Sequence, residues 1–253
     1  MWAKPKEGDS IAVWFSCGAA SAVAAKCAVK VWGDRCNIRV VNNPVLEEHF
    51  DNRRFLRDVE RWIGVKIELA TNTKFPDNSC ETVWHRRKFM SGPRGAPCTY
   101  ELKKAARMQW EANNNVDHHV LGFTSEEANR AENFALNEGR SLLPILVQAG
   151  VTKSKCYHII KNAGIELPKI YKLGFPNANC IGCVKASSPT YWNHVRKTFP
   201  DVFEARVKQS DELGSKLVIV KGKRIPLKDL SEDAMGRPMK SMDFECGIFC
   251  NSK

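Results

Sequence analysis

Two patterns of apolar residues alternate along the first two thirds of the chain. Short apolar runs predict a strand or extended segment at residues 11–15, 38–41, 66–69, 119–123 and 142–147. Helical spacing of apolar residues predicts helices over residues 21–31, 46–63, 79–90, 99–113, 125–137 and 152–163. Strands that alternate with helices are typical of an α/β fold. We therefore predict an open, parallel, twisted sheet with helices on both faces.

The pattern changes after about residue 174, where loops that contain Pro, Asn and Cys precede two more helices. We predict an α/β domain over residues 1–175 and a Cys-bearing C-terminal region of helices and loops over residues 176–253. The chain has no apolar run long enough to span a membrane, and its first residues lack the apolar stretch of a signal peptide. We expect a cytoplasmic protein with no membrane partner.

The segment between the first strand and the first helix consists of small residues: Ser16, Cys17, Gly18, Ala19, Ala20 and Ser21. A strand, a small-residue loop and a helix together present backbone N–H groups and a helix dipole to a phosphate. Gly18 permits a positive φ at no steric cost, and Ser21 is a candidate cap for the helix. The loop is neither a Walker A motif nor a dinucleotide-binding fingerprint. The alternative is a buried strand that ends in a plain turn.

Ten cysteines in a chain expected in the cytoplasm indicate metal or redox chemistry rather than a disulfide framework. Cys180 and Cys183 form a C-x2-C pair, Cys246 and Cys250 form a C-x3-C pair, and Cys98 precedes a predicted helix. A four-thiolate zinc site, an iron–sulfur cluster and a metal-free redox dithiol all fit these spacings. Four other cysteines lack partners at ligand spacing and are interpreted as small buried hydrophobes: Cys27, Cys36, Cys80 and Cys156.

The formal charge of +11 fits two interpretations. One is a solvated basic surface around an anionic nucleotide site, and the other is contact with a nucleic-acid backbone. The basic residues are spread along the chain, with small clusters at residues 53–54, 85–88, 103–104 and 221–224. Charge alone therefore does not choose between the two.

Further motifs follow the small-residue loop in a fixed order. They are Pro97-Cys98-Thr99-Tyr100-Glu101-Leu102-Lys103, residues 121–130 with Arg130, residues 143–175 with Lys153, the Cys180/Cys183 pair, and Glu245-Cys246-Gly247-Ile248. With the loop at 16–21, this ordered set resembles the branch of the adenine nucleotide α-hydrolase (PP-loop) superfamily that contains phosphoadenylyl-sulfate (PAPS) reductases. The chain is most similar to phage and bacterial PAPS-reductase-like proteins, which are neighbours of the PP-loop proteins of DNA phosphorothioation.

The resemblance implies an adenine nucleotide, ATP or PAPS, bound by residues 16–21 and Gly122. It implies catalytic roles for Arg130, Lys153 and Cys246. It also implies a [4Fe-4S] cluster, for which we assign the cysteines Cys98, Cys180, Cys183 and Cys250. In this superfamily the segment after the second strand reads the adenine or binds Mg²⁺, which here concerns Glu47, Glu48, His49 and Asp51. A solvent-facing helix start is our preferred interpretation of those residues.

The chain departs from the family pattern at several positions. Cys17 and Ala20 replace a glycine and an acidic residue of the usual PP-loop. Thr99 replaces the second residue of a Cys-Cys pair, and Cys250 is an extra thiol that can replace the lost ligand. Phe249 replaces the histidine that follows the nucleophile segment in the reductases.

Three functional hypotheses follow from the resemblance and these departures. The first is ATP-dependent adenylation coupled to sulfur transfer, with a nucleic acid or small molecule as acceptor and a cysteine desulfurase as sulfur donor. The second is a PAPS or adenylyl-sulfate reductase that uses Cys246 as nucleophile and a thiol carrier as partner. The third is a non-catalytic, nucleotide-binding subunit whose tail is stapled by zinc. A homodimer is compatible with each of them.

Overall fold

The computed structural model describes residues 2–92 and 95–239 of the chain. Contacts divide the described residues into two units. Unit 1 contains the residues up to Pro44, Phe50–Ala70 and Arg107–Lys169. Unit 2 contains Val45–His49, Thr71–Ala106 and the described residues from Ile170 onward. This division differs from a single boundary at residue 175, because two segments from the first half of the chain pack in unit 2.

Unit 1 is built on a four-stranded parallel sheet. Its strands are β1 (Ser10–Trp14), β2 (Asn37–Asn42), β3 (Ile67–Leu69) and β4 (His118–Val120), in the order β3-β2-β1-β4. The apolar residues of β1 from Ile11 to Trp14 are all buried, as expected for an inner parallel strand. The prediction of an α/β fold with a parallel sheet is confirmed.

Only the second half of the segment 142–147 is helical, so the prediction of a strand or extended segment there is partly correct. Leu142 forms an isolated parallel bridge with His119, and Leu143 N–H donates to the His119 carbonyl at 2.8 Å. Pro144 then serves as the N-cap of α7 (Ile145–Gln148). Proline has no N–H to donate to a sheet ladder but is tolerated at a helix start, which explains the early change.

Helices flank this sheet in unit 1. They are α1 (Ala19–Trp32), α2 (Asn52–Ile63), α6 (Ala128–Glu138), α7 and α8 (Lys153–Asn162). Helix α5 (Ala106–Ala112) also belongs to unit 1, except for its first residue, which is the last residue of a unit 2 segment. Ala22, Ala24, Ala25 and Ala28 of α1 are completely buried. Small side chains on this face allow close packing. Helix α2 begins six residues later than the predicted start at residue 46, because residues 45–49 belong to unit 2.

Unit 2 combines helices with a two-stranded hairpin. Its helices are α3 (Cys80–Arg87), α4 (Pro97–Thr99), which continues as a π-helical segment at Tyr100–Ala105, α10 (Pro189–Thr198) and α11 (Pro200–Glu212). The short α9 (Lys169–Lys172) begins at the last residue of unit 1. Strands β5 (Val218–Val220) and β6 (Lys223–Ile225) form an antiparallel hairpin that the sequence patterns did not predict. The core of unit 2 contains the fully buried Tyr191 and Trp192 of α10.

Candidate functional site

The candidate phosphate loop leaves the carboxyl end of β1 and enters α1 in unit 1. The Ser21 hydroxyl accepts from the Ser16 backbone N–H at 3.1 Å and donates to the Gly18 carbonyl at 2.9 Å. Ser21 therefore ties the loop to the helix start instead of serving as the N-cap, which is Gly18. The first turn of α1 carries no acidic side chain. The positive end of the helix dipole thus has no carboxylate of its own helix beside it.

The backbone conformation of the loop differs from the expectation for Gly18. Gly18 is extended, with φ −98°, and the positive φ of 56° falls on Cys17. The Asn42 side-chain amide donates to the Phe15 carbonyl at 2.8 Å and lies 3.7 Å from the Cys17 sulfur. Neighbouring groups thus hold Cys17 in a backbone conformation that residues other than glycine rarely adopt.

Gly122 packs directly against the loop, as expected if it belongs to the same site. A Cβ atom at this position would lie 2.6 Å from the Ser21 nitrogen and 2.8 Å from its Cα. Both are backbone atoms, which cannot move aside as a flexible side chain can. The segment after β4 and the small-residue loop therefore approach each other only because residue 122 is glycine.

The two predicted cations, Arg130 and Lys153, lie on helices of the same unit, and each is next to a carboxylate. Arg130 forms an ion pair with Glu127 and lies over the Phe123 ring, 5.4 Å from its centroid. Lys153 is the first residue of α8, and its backbone N–H donates to the Glu126 carboxylate at 3.1 Å.

In unit 2, four cysteines line one buried cavity of about 10 Å³. They come from three separate segments: Cys80 from the start of α3, Cys98 from α4, and Cys180 and Cys183 from the turn before α10. The Cys80 thiol is within hydrogen-bonding reach of both Cys98 and Cys180. Cys80 was interpreted from the sequence as an isolated small hydrophobe. The residue is buried as expected, but it is not isolated, because Cys98 and Cys180 lie within reach of its thiol and Cys183 lines the same cavity.

Glu47 joins two of these segments. Its carboxylate accepts hydrogen bonds from the Ser79 hydroxyl at 2.8 Å, from the Cys80 N–H at 2.9 Å and from the Glu81 N–H at 3.1 Å. These are groups at the start of α3, where backbone N–H groups lack partners within the helix. The Glu47 carbonyl also accepts from the Ile181 N–H at 2.9 Å, inside the C-x2-C turn. One residue thus fixes the positions of Cys80 and of the Cys180 turn.

Tyr191 holds the C-x2-C turn from its other side. Its hydroxyl accepts from the Cys183 N–H at 2.8 Å and donates to the Cys180 carbonyl at 3.5 Å. The ring is buried in the core of unit 2, and this burial raises the pKa of Tyr191 well above its ordinary value. The hydroxyl therefore stays protonated and keeps both hydrogen bonds.

Electrostatics within the cavity affect two of the thiols in opposite directions. Hydrogen bonding of Cys80 to Cys180 and Cys98, together with burial, raises the pKa of Cys80 well above its ordinary value. The hydrogen bond from Cys80 has the opposite effect on its partner and lowers the pKa of Cys98. Two lysines, Lys103 and Lys185, line the same cavity. Lys103 also forms a 3.0 Å ion pair with Glu48, and both side chains are more than nine-tenths buried.

Trp84 supplies a further polar group to the cavity. Its indole Nε1 is buried and, among residues 2–92 and 95–239, makes no hydrogen bond of normal geometry. The same side chain lines the cavity and lowers the pKa of Cys98 by offering its N–H to the sulfur. A buried N–H group that lacks an acceptor costs free energy of folding, unless a ligand accepts its hydrogen bond. A thiolate or sulfide in the cavity would provide that acceptor.

Among the described residues, the cysteines of this cavity are not placed to hold a single metal ion. Within the described part of the chain, no group of three or more His, Cys, Asp or Glu side chains is positioned to hold a metal ion. The cavity has room for about one water molecule. A larger ligand would require the thiols to rotate outward. Of the other predicted residues, Cys246 and Cys250 lie outside the described residues.

The acidic segment after β2 does not form a solvent-facing helix start. Glu47 accepts from backbone N–H groups at the start of α3, Glu48 pairs with Lys103, and His49 is buried against the Phe199 ring. Asp51, in unit 1, is 3% exposed. Its hydrogen bonds with Arg54, together with the one from the Lys169 N–H, lower its pKa to about 2. The preferred interpretation of these residues was therefore wrong, because each acidic side chain has a specific partner in the fold.

Comparison with known proteins adds nothing to this geometry. No protein-family model matches the chain, and no curated protein matches it. None of the described helices has the length and apolarity needed to cross a bilayer. The family resemblance therefore stays a prediction that depends on the motifs.

Proposed function

We propose that this protein is a PAPS-reductase-like member of the PP-loop superfamily, that it binds an adenine nucleotide at residues 16–21, and that it holds an iron–sulfur cluster at four cysteines. The observation that carries the proposal is the convergence of Cys80, Cys98, Cys180 and Cys183 on one buried cavity. Cysteine thiolates are the usual ligands of such clusters. Cys80 replaces Cys250 in the ligand set that we assigned from the sequence.

The chemistry of the donor groups around the cavity suits such a cluster, although the cavity itself has room for about one water molecule. A cluster with four thiolate ligands carries net negative charge, and Lys185 lines the cavity as a positive charge, whereas Lys103, which also lines it, is paired with Glu48. The Trp84 N–H supplies a donor for sulfur, and hydrogen bonds to sulfur tune such clusters. When bound, the cluster would supply iron that carries an electron or holds sulfur for transfer. Glu47 and Tyr191 would hold cysteine-bearing segments in position around the cluster.

The loop at the end of β1 supports the nucleotide part of the proposal. In parallel sheets, ligands bind outside the carboxyl ends of the strands, which is where this loop lies. In the first candidate activity, an acceptor oxygen attacks the α-phosphorus of ATP, the bond to the β-phosphate oxygen breaks, and pyrophosphate leaves. Ser16, Ser21, Lys153 and Arg130 would stabilise the charge that develops on the phosphate oxygens. The terminal sulfur of a persulfide on a donor such as a cysteine desulfurase would then displace AMP. A thiol of the donor or of a reductant would cleave the resulting S–S bond, which leaves the sulfur on the acceptor and the two thiols as a disulfide.

The four cysteines of the cavity support a second candidate activity. If Cys80 completes the ligand set, neither Cys246 nor Cys250 is needed as a ligand, so Cys246 can serve as a nucleophile. Its thiolate would attack the sulfur of PAPS, and the sulfur–oxygen bond to the phosphate would break to release adenosine bisphosphate. A carrier dithiol would next attack the Cys246 sulfur and release sulfite. The second thiol of the carrier then restores Cys246 and leaves the carrier as a disulfide.

Metal analysis tests the cluster. Wild-type protein purified without oxygen should be brown and contain iron and acid-labile sulfide. Cys80→Ser should lose most of its iron, whereas Cys250→Ser and the matched control Cys27→Ser should keep it, since Cys27 lies on α1 in unit 1. Wild-type iron content in Cys80→Ser would contradict the assignment of that ligand. A colourless protein with one zinc would support the non-catalytic hypothesis instead.

Two incubations separate the candidate activities. Pyrophosphate release from ATP in the presence of an acceptor supports adenylation, and sulfite release from PAPS with a dithiol supports reduction. Cys246→Ser should abolish sulfite release and leave the iron content unchanged. If neither product forms with the iron-loaded protein, the enzymatic proposal is wrong.

A further inference from the structure

The β5–β6 hairpin of unit 2 carries an unusual concentration of positive charge. Residues 215–228 contain five basic residues and no acidic one: Lys216, Lys221, Lys223, Arg224 and Lys228. All five are exposed. None of the proposed activities uses them.

The hairpin is anchored at its base and projects its cations at the tip. Val218 pairs with Ile225 and is completely buried in the core of unit 2, while Val220 pairs with Lys223 nearer the turn. Lys221 and Gly222 form the two-residue turn with positive φ values of 48° and 78°. Such a turn matches the twist of the flanking strands. The tip is therefore a short β-ribbon fixed to the core by its apolar residues.

The tip cations have no carboxylate partner among the described residues. Lys221, Lys223 and Arg224 form no ion pair there, and the Arg224 guanidinium contacts only the Lys216 carbonyl at 3.1 Å. At the base of the ribbon, by contrast, Lys228 pairs with Asp211 at 2.6 Å. Elsewhere many basic side chains are also paired, as Arg54 is with Asp51 and Asp58. The positive charge at the tip is thus not neutralised within the described fold.

The shape and composition of the tip indicate what would neutralise it. A convex ribbon cannot enclose a small anion, but it can lie along a polyanion. A two-stranded ribbon fits the major groove of B-form DNA, which is about 12 Å wide, whereas the major groove of A-form RNA is deep and narrow. A membrane-surface element would pair its cations with exposed aromatic or large apolar residues. Residues 215–228 present no exposed large hydrophobic side chain.

We propose that the β5–β6 ribbon docks this protein on double-stranded DNA through phosphate contacts of Lys221, Lys223 and Arg224. These contacts supply affinity and position rather than sequence recognition. The inference does not require the proposed activity, because binding is independent of nucleotide and of turnover. If the acceptor of sulfur is DNA, the ribbon is the surface that holds it.

The test compares two triple variants of equal charge. One changes Lys221, Lys223 and Arg224 to Gln, and the other changes Lys30, Arg57 and Lys161, which are exposed helix residues of unit 1, to Gln. Binding of a fluorescent mixed-sequence DNA duplex is measured by anisotropy from 50 to 200 mM NaCl, without nucleotide. Each lost phosphate contact should reduce the slope of log affinity against log salt by about 0.9. The ribbon variant should therefore lose about 2.7 from the slope and at least about tenfold in affinity, and the control variant much less.

Several results would overturn the proposal. The first is a ribbon variant that binds DNA as tightly as the wild type and has the same melting temperature. The second is an equal loss of salt slope in the two variants, which would show that only net charge matters. Equal affinity for an RNA duplex would contradict the choice of DNA. Loss of binding to phosphatidylserine vesicles, with DNA binding retained, would assign the ribbon to a membrane surface instead.

Discussion

Glu47 provides the sharpest test of how the cysteine site is held together. Its carboxylate accepts from the backbone N–H groups of Cys80 and Glu81 and from the Ser79 hydroxyl. In Glu47→Ala the hydroxyl can turn to water, but the two N–H groups at the helix start lose a charged acceptor. A hydrogen bond to a charged group contributes about 1.5–3 kcal/mol, and half-burial favours the lower end. We expect a loss of about 3 kcal/mol in the free energy of unfolding.

The assay is thermal unfolding of the whole chain followed by circular dichroism. For a protein of this size each kcal/mol corresponds to about 2–4 °C, so Glu47→Ala should melt about 6–12 °C lower. Glu81→Ala is the matched control, because Glu81 lies in the first turn of the same helix and its exposed carboxylate interacts mainly with the dipole. That change should cost about 0.3–1 kcal/mol. If the two variants melt at the same temperature, Glu47 does not anchor α3.

Two further predictions concern unit 1. Burial, followed by the charges of Arg107 and Arg140, lowers the pKa of His119 to about 3. Between pH 6.5 and 3 the unfolded chain therefore binds a proton that the native state does not, and stability falls on acidification. From pH 7 to 4.5 this group should lower the free energy of unfolding by about 2.5 kcal/mol, measured by urea titration, and His119→Gln should remove that part of the pH dependence. Gly122→Ala should lower stability by more than about 3 kcal/mol and abolish nucleotide binding, because its Cβ meets the loop backbone. The control Gly164→Ala, with φ 72° and open space around it, should cost about 1 kcal/mol, and equal losses would contradict the steric argument.

The local pattern was sufficient to predict the sheet and most helices. The apolar run at 11–15 and the small residues that follow predicted β1, its loop and α1, since strand and helix periodicity is a property of neighbouring residues. The same reasoning was only partly correct at 142–147, where Leu142 is bridged to β4 but Pro144 starts a helix within the apolar run. It also missed the β5–β6 hairpin, although its strands are as long as β3 and β4, which the pattern did predict.

The candidate sites were predicted unequally for a related reason. Cys180 and Cys183 belong to the proposed ligand set both before and after the structure, because a C-x2-C spacing brings two thiols together. Cys80 had no such signal, since its closest partners, Cys98 and Cys180, are 18 and 100 residues further along the chain. The pattern around it predicted a helix over residues 79–90 and no ligand.

Sequence by itself thus determined the class of fold, the candidate phosphate loop and the presence of paired thiols, because each depends on spacing over a few residues. Only the tertiary structure decided that Cys80 joins the thiol cavity and that Glu47 holds α3 against the Cys180 turn. It also decided that the tip of a short hairpin carries cations without partners. These features come from contacts between distant segments, and the burial and hydrogen bonding that stabilise them exist only once the chain has folded.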